Sequence, residues 1–163
     1  MSTLRTNEIQ TTSAKPILRS TGSILQVVNT NTLGQGGEIT TTSNSYVTTG
    51  LSVSITPISA SSKLLVEFLG NGKFVGGSGD DGATYKIFRD GSQLNGNAGD
   101  QLHYRSDSNG NNHHYTLGIT YFVNANSTAS TTFTLFFSDQ WGGTAVVSRD
   151  WGNNQFTIME ISA

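Results

Sequence analysis

The chain has 163 residues, of which 34% are hydrophobic and only 12% charged, and its formal net charge is −2. That length suits one domain with a short appendage, and a slightly acidic balance offers none of the phosphate neutralisation on which nucleic-acid affinity depends. Cysteine is absent, which excludes disulfides, thiol nucleophiles and cysteine zinc sites, and no apolar run approaches the ~18 residues that cross a bilayer as a helix. Charged residues stand at about half the ~25% usual for a soluble domain, with Ser, Thr, Asn and Gly solvating the surface instead. Identical surfaces of this kind can meet without stacking like charges, which favours a homo-oligomer.

The opening stretch "LRTNEIQTTSAKPILRSTG" has little apolar periodicity and none of the apolar centre of a signal peptide. Residues 1–22 are therefore read as an extended N-terminal arm and residues 23–163 as the folded domain. Thr6 and Gln10 can donate and accept along a groove, Ile9, Ile17 and Leu18 can anchor in small apolar pockets, and Pro16 stiffens the path by fixing φ.

From Gly22 onward the apolar residues recur with period two, the signature of half-buried strands. "GSILQVVNT" predicts a short strand around Ile24 to Val28. "GLSVSITP" alternates Leu51, Val53 and Ile55 against Ser52, Ser54 and Thr56, and Pro57 closes it because proline cannot donate to a sheet ladder. In "KLLVEFLGNGKF", Leu64, Val66 and Phe68 share one side while Leu65, Glu67 and Leu69 share the other, which predicts a strand covered on both faces. "GGSGDDG" reads as a loop. "ATYKIFRDGSQLNGN" reads as a hairpin turning at Asp90-Gly91, where the turn requires positive φ.

"HHYTLGITYFVNA" and "STTFTLFFSDQ" are further strands, "WGGTAVVSRDWGNN" a loop or short edge strand, and "QFTIMEIS" a last strand placing Phe156, Ile158 and Glu160 on one face. No segment offers a capped amphipathic helix. Eight or more short strands with Gly/Asn/Ser turns predict an all-β sandwich, most simply a jelly roll with its first and last strands in one sheet.

Catalytic constellations are missing. His113 and His114 adjoin, so alternation would send one outward and one to the core; with His103 or Asp107 they form no specific metal-ligand spacing. Asp80 and Asp81 are a sequence-adjacent pair in a loop, not the separated carboxylates of a glycosidase. "GNGKFVGG" lacks the glycine spacing and following helix of a dinucleotide fingerprint. Trp141 and Trp151 lie among amides and charges, and with Asp80 and His113 they form a candidate glycan-contact set; packing of each indole is the simpler reading. The chain is accordingly read as non-enzymatic, without cofactor or metal.

The segments "IQTTSAKPILRSTGSILQVV", "SNSYVTTGLSVSITPISASSKLLVEF" and "ATYKIFRDG" resemble structural proteins of tailed bacteriophages, many of them from cyanobacterial phages. The resemblance spans most of residues 4–90 and implies a trimeric C1q/TNF-like jelly roll fixed to a virion by its N-terminal segment. No catalytic motif comes with it. It implies a homotrimer, whose interface would take Leu65 and Leu69 from the doubly apolar strand, with Phe136 and Phe137, of which one must face outward. Partners would be the chain itself, the major capsid or another virion protein through the arm, and a host surface glycan, with no nucleic acid and no membrane insertion. The location implied is the virion surface after assembly in the host cytoplasm. The short N-terminal part and the lack of a shaft repeat favour a capsid decoration or cement protein over a tail-fibre tip.

Overall fold

The structure, a computed structural model, describes residues 21–33, 37–75, 79–94, 101–107, 113–140, 142–148 and 153–163. Its strands are β1 (Ile24–Leu33), β2 (Ile39–Thr41), β3 (Val47–Ile55), β4 (Lys63–Val75), β5 (Gly79–Arg89), β6 (Ser92–Gln93), β7 (Gln101–Asp107), β8 (His113–Asn124), β9 (Thr131–Asp139), β10 (Thr144–Ser148) and β11 (Asn153–Ile161). All described pairings are antiparallel.

Three of these pairs act as single interrupted ribbons. β11 and β10 lie end to end along one side of β4, and β1 and β2 continue them outward, while β8 covers the whole other side of β4. In the second sheet β6 and β7 share one side of β5, and β9 separates β5 from β3. Counted as eight ribbons, the first sheet runs first–eighth–third–sixth and the second runs second–seventh–fourth–fifth. That order, two interlocked Greek keys, is the jelly roll.

Alternation explains the core. Leu64, Val66 and Phe68 of β4, Leu117 and Ile119 of β8, and Phe156 and Ile158 of β11 face Leu51, Val53 and Ile55 of β3, Phe133, Leu135 and Phe137 of β9, and Tyr85 and Ile87 of β5, all buried. Each large apolar side chain so buried contributes about 1.5–3 kcal/mol. Beyond Phe68 the inward positions of β4 are Gly70 and Gly72, because the Phe68 ring and Asn154 already occupy the space beside the first, and the Tyr115 ring and Tyr85 hydroxyl the space beside the second. Tyr115 and Tyr85 join hydroxyls at 2.6 Å, and the Tyr85 hydroxyl donates to the Val146 carbonyl at 3.0 Å. Burial pushes both phenols well above the ordinary range.

The hairpin expected at Asp90-Gly91 is present, with φ of 49° and 79°. Three expectations are corrected. Asp80 and Asp81 stand in β5, which begins at Gly79 because β7, a strand that composition does not reveal, pairs with it from Gly79 to Tyr85. "TAVVS" is β10, an inner ribbon between β4 and β2 rather than an edge, with Ala145, Val146 and Val147 fully buried. His113 and His114 are both exposed, so neither packs in the core.

Candidate interaction surface

The outer face of the first sheet is built by strict cross-strand register. Phe122 of β8 pairs with Leu65 of β4, Leu65 with Met159 of β11, and Met159 with Val27 of β1. Partners opposite one another share a face, so these four side chains form one apolar row across the entire sheet. Phe122 is 60% exposed and Val27 54%, while Leu65 and Met159 between them are half-buried by their neighbours.

Flanking rows follow from the same ladders. Toward the chain termini lie Asn124, Lys63, Ile161 and Ile24, the last 58% exposed. On the other side lie Thr120, Glu67, Thr157 and Asn29, where the Asn29 amide donates to the Thr157 hydroxyl at 2.7 Å. Leu69 comes next; its partner Gly118 has no side chain to cover it. Of the large hydrophobics exposed among the described residues, Ile24, Val27, Leu69 and Phe122 belong to this face, and Ile58 alone does not.

Leu65 and Leu69 therefore stand where alternation places them, on one outward surface. Phe136 and Phe137 do not join them, since β9 belongs to the opposite sheet. Phe137 is corrected outright: it is fully buried and stacks on Tyr85 with centroids 6.2 Å apart, leaving no surface for a partner. Phe136 faces outward but is half-buried, stacked on Phe88 at 4.0 Å, with Tyr46 tilted against Phe88 at 6.0 Å. Lys86 lies 5.0 Å from the Tyr46 ring centroid and donates to Gln93 at 3.2 Å. The chain itself covers this second face.

Gly22 and Ser23 lie against the end of β11, beside the apolar row. The Gly22 N–H donates to the Ser162 carbonyl at 2.8 Å, and the Ser162 N–H to Ser23 at 2.9 Å, which ties the chain's entry to its final strand. Just inside, Glu160 is wholly buried. Its carboxylate accepts the Ile58 N–H at 2.9 Å, the Ser59 N–H at 3.1 Å and the Gln26 side-chain amide at 2.6 Å. Burial alone would raise this carboxyl, but the Ile58, Gln26 and Ser59 donors together hold it below the ordinary range. β1, β11 and the loop between β3 and β4 are joined through one charge. Thr6, Ile9, Gln10, Pro16, Ile17 and Leu18 lie outside the described residues.

No family model matches the chain, and no curated protein matches it. Among solved structures it is similar to T=1 particles derived from infectious bursal disease virus, with a TM-score of 0.41 and 12% identity over 95% of this chain and 41% of that one. A mutant VP2 protein of that virus gives 0.39 and 13% over 95% and 41%, and the Gt strain 0.39 and 14% over 95% and 43%. The chain thus spans about two fifths of the length of the solved chains it matches. Likeness of this extent assigns neither a family nor a function; the jelly roll stands on the chain's own strand order.

The end of the sandwich opposite Gly22 and Ser162 gathers the ends of β4, β5, β8 and β10. Of the candidate glycan contacts, His113 is placed there, exposed, its ring 6.2 Å from that of Tyr115. An open concavity of about 420 Å³ beside it is lined by Asn71, His114, Tyr115 and Thr116. The Asp80 side chain, Trp141 and Trp151 lie outside the described residues. No group of three His, Asp or Glu that could hold a metal ion occurs among the described residues.

Sequence reasoning missed Phe122, Met159, Val27 and Ile24. The signal was present in "TLGITYFVN", where Leu117, Ile119, Tyr121 and Val123 claim the core face and leave Phe122 as an apolar residue on the wrong side.

Proposed function

We propose that this chain is a non-enzymatic structural protein of a tailed-phage virion, a capsid decoration or cement protein that self-associates through its first sheet and attaches to the particle through its N-terminal arm. The observation that carries this reading is the exposed apolar row Phe122–Leu65–Met159–Val27, which crosses a whole sheet of an otherwise polar, charge-poor jelly roll. A contiguous apolar surface of this kind marks a protein contact rather than a solvated wall. The sequence resemblance to tailed-phage structural proteins supplies the setting, and the groove-binding composition of residues 1–22 supplies the attachment. The homotrimer implied by that resemblance is one way to cover the face, and molecular mass distinguishes it from the pairing argued below.

The test is copy number in purified particles, by quantitative mass spectrometry against the major coat protein. Hundreds of copies per particle are expected for a decoration protein. A handful, in multiples of three, would move the chain to a tail or fibre position, and absence from particles would overturn the virion reading.

A second reading, a short fibre tip that binds a host surface glycan, is favoured by the concavity beside His113 and His114 at the end opposite Gly22 and Ser162. A glycan that binds only the folded state must raise the apparent melting temperature. A flat response across host surface polysaccharides would remove this reading.

A further inference from the structure

We infer that the outer face of the first sheet is a two-fold, self-complementary interface whose occupant is the same face of a second copy of this chain. This deepens the self-association part of the reading above. The charges on the face define the geometry. Lys63 and Glu67 are the charged side chains beside the apolar row, and they flank Leu65 at two positions to either side; Lys73, farther along the same face of β4, is nearly buried and ion-paired with Glu38. Four residues of one strand separate them by about 13 Å, too far to pair within one molecule.

Two sheets packed face to face can be related by a two-fold axis lying between them. With that axis parallel to the strands, Lys63 would meet Lys63 of the second copy and Glu67 would meet Glu67 where the axis runs over β4, and Lys63 would face Ile161 and Glu67 would face Thr157 where it runs between β4 and β11, so no such axis brings opposite charges together. An axis along the apolar row instead reverses β4 about Leu65. Phe122, Leu65, Met159 and Val27 then meet their own counterparts, and each Lys63 meets Glu67 of the second copy, twice by symmetry. Like charges juxtaposed across an interface are disfavoured and opposite ones set its register. The charge pattern selects the axis along the row.

A head-to-tail ring would need a second apolar patch for the first to dock on. Among the described residues Ile58 is the one large exposed hydrophobic off this face, and the aromatic cluster around Phe136 is covered by its own chain. An isologous contact needs only the surface already present. Three to four rows across four ribbons make a face of about 400 Å² per copy, the size of a weak, concentration-dependent contact.

The experiment is sedimentation equilibrium of the full chain from one to several hundred micromolar, with circular dichroism confirming that each variant folds. The expected species is a reversible dimer of the 17.4 kDa chain, weakened by added salt. Lys63→Glu and Glu67→Lys should each weaken dimerisation about tenfold or more, and the double exchange should restore it, because the reversed charges still meet. Phe122→Ser should abolish it. A monomer at every concentration, a trimer, single exchanges without effect, or a double exchange that fails to restore the dimer would each overturn the inference. The outcome is independent of particle copy number: a dimer absent from virions would retain the interface and remove the virion role, and a trimer found in virions would do the reverse.

Discussion

Lys63 and Glu67 project from the same outward face of β4, equally spaced about Leu65, and no described ion pair joins either of them to the rest of the chain. The Lys63 ammonium donates to the Asn124 side chain across the strand pair. Opposite charges held apart on either side of an apolar row are complementary to their own reversed image.

The two neighbouring phenylalanines of β9 should separate cleanly in stability. Phe137→Ala removes a fully buried ring and should destabilise the domain by about 3–5 kcal/mol. Phe136→Ala loses a half-covered stack on Phe88 and should cost about 1–2 kcal/mol. Phe122→Ser, on the open face, should stay within about 0.5 kcal/mol of the parent for the monomer. Urea denaturation at low protein concentration measures all three, and equal losses at 136 and 137 would contradict the assigned faces.

Glu160 should make stability pH-dependent on the acid side. Its folded-state carboxyl is held below the ordinary range, so the unfolded chain binds the proton more readily and stability must fall as pH drops. The contribution is complete above the ordinary glutamate value of about 4.3 and disappears as pH descends through the lowered folded value. Asp90 adds to the same trend: burial works against it, but the Thr131 hydroxyl, the Thr132 N–H and nearby Arg89 outweigh burial and hold its carboxyl low. Glu160→Gln should cost about 1–3 kcal/mol at pH 7 and flatten part of the acid slope. Denaturation midpoints at pH 3 to 7 check this, and an unchanged slope in the variant would refute it.

Gly72→Ala should destabilise by about 1–3 kcal/mol, since a Cβ there must displace the packed Tyr115 ring. Gly118→Ala is the control: its Cβ would meet only Leu69, at 3.7 Å, and it should be neutral or slightly stabilising. Thermal unfolding of the two variants side by side reads the contrast.

Removal of residues 1–20 should leave the domain folded, because Gly22 and Ser23 keep their bonds to Ser162 and the core residues all lie beyond them. The truncated protein should retain its self-association but fail to join particles. Normal incorporation into virions, measured by mass spectrometry of particles grown with the truncated form, would sink the attachment role of the arm.

Period-two alternation made the all-β class and most core residues legible from the sequence. In a strand the choice of face is local chemistry, so Leu64, Val66 and Phe68 separate from Leu65, Glu67 and Leu69 without knowledge of any partner. The Asp90-Gly91 turn was legible for the same reason, as a demand of backbone sterics. Which ribbons lie side by side was not, since nothing local in "TAVVS" says that β4 and β2 flank it, and β7 becomes a strand only because β5 offers it a ladder. The apolar row is the clearest case. Its four members come from positions 27, 65, 122 and 159, each a single unremarkable residue in its own segment. Long-range register aligned them, because hydrogen-bonded ladders bring distant residues opposite one another, and a surface is a property of that alignment.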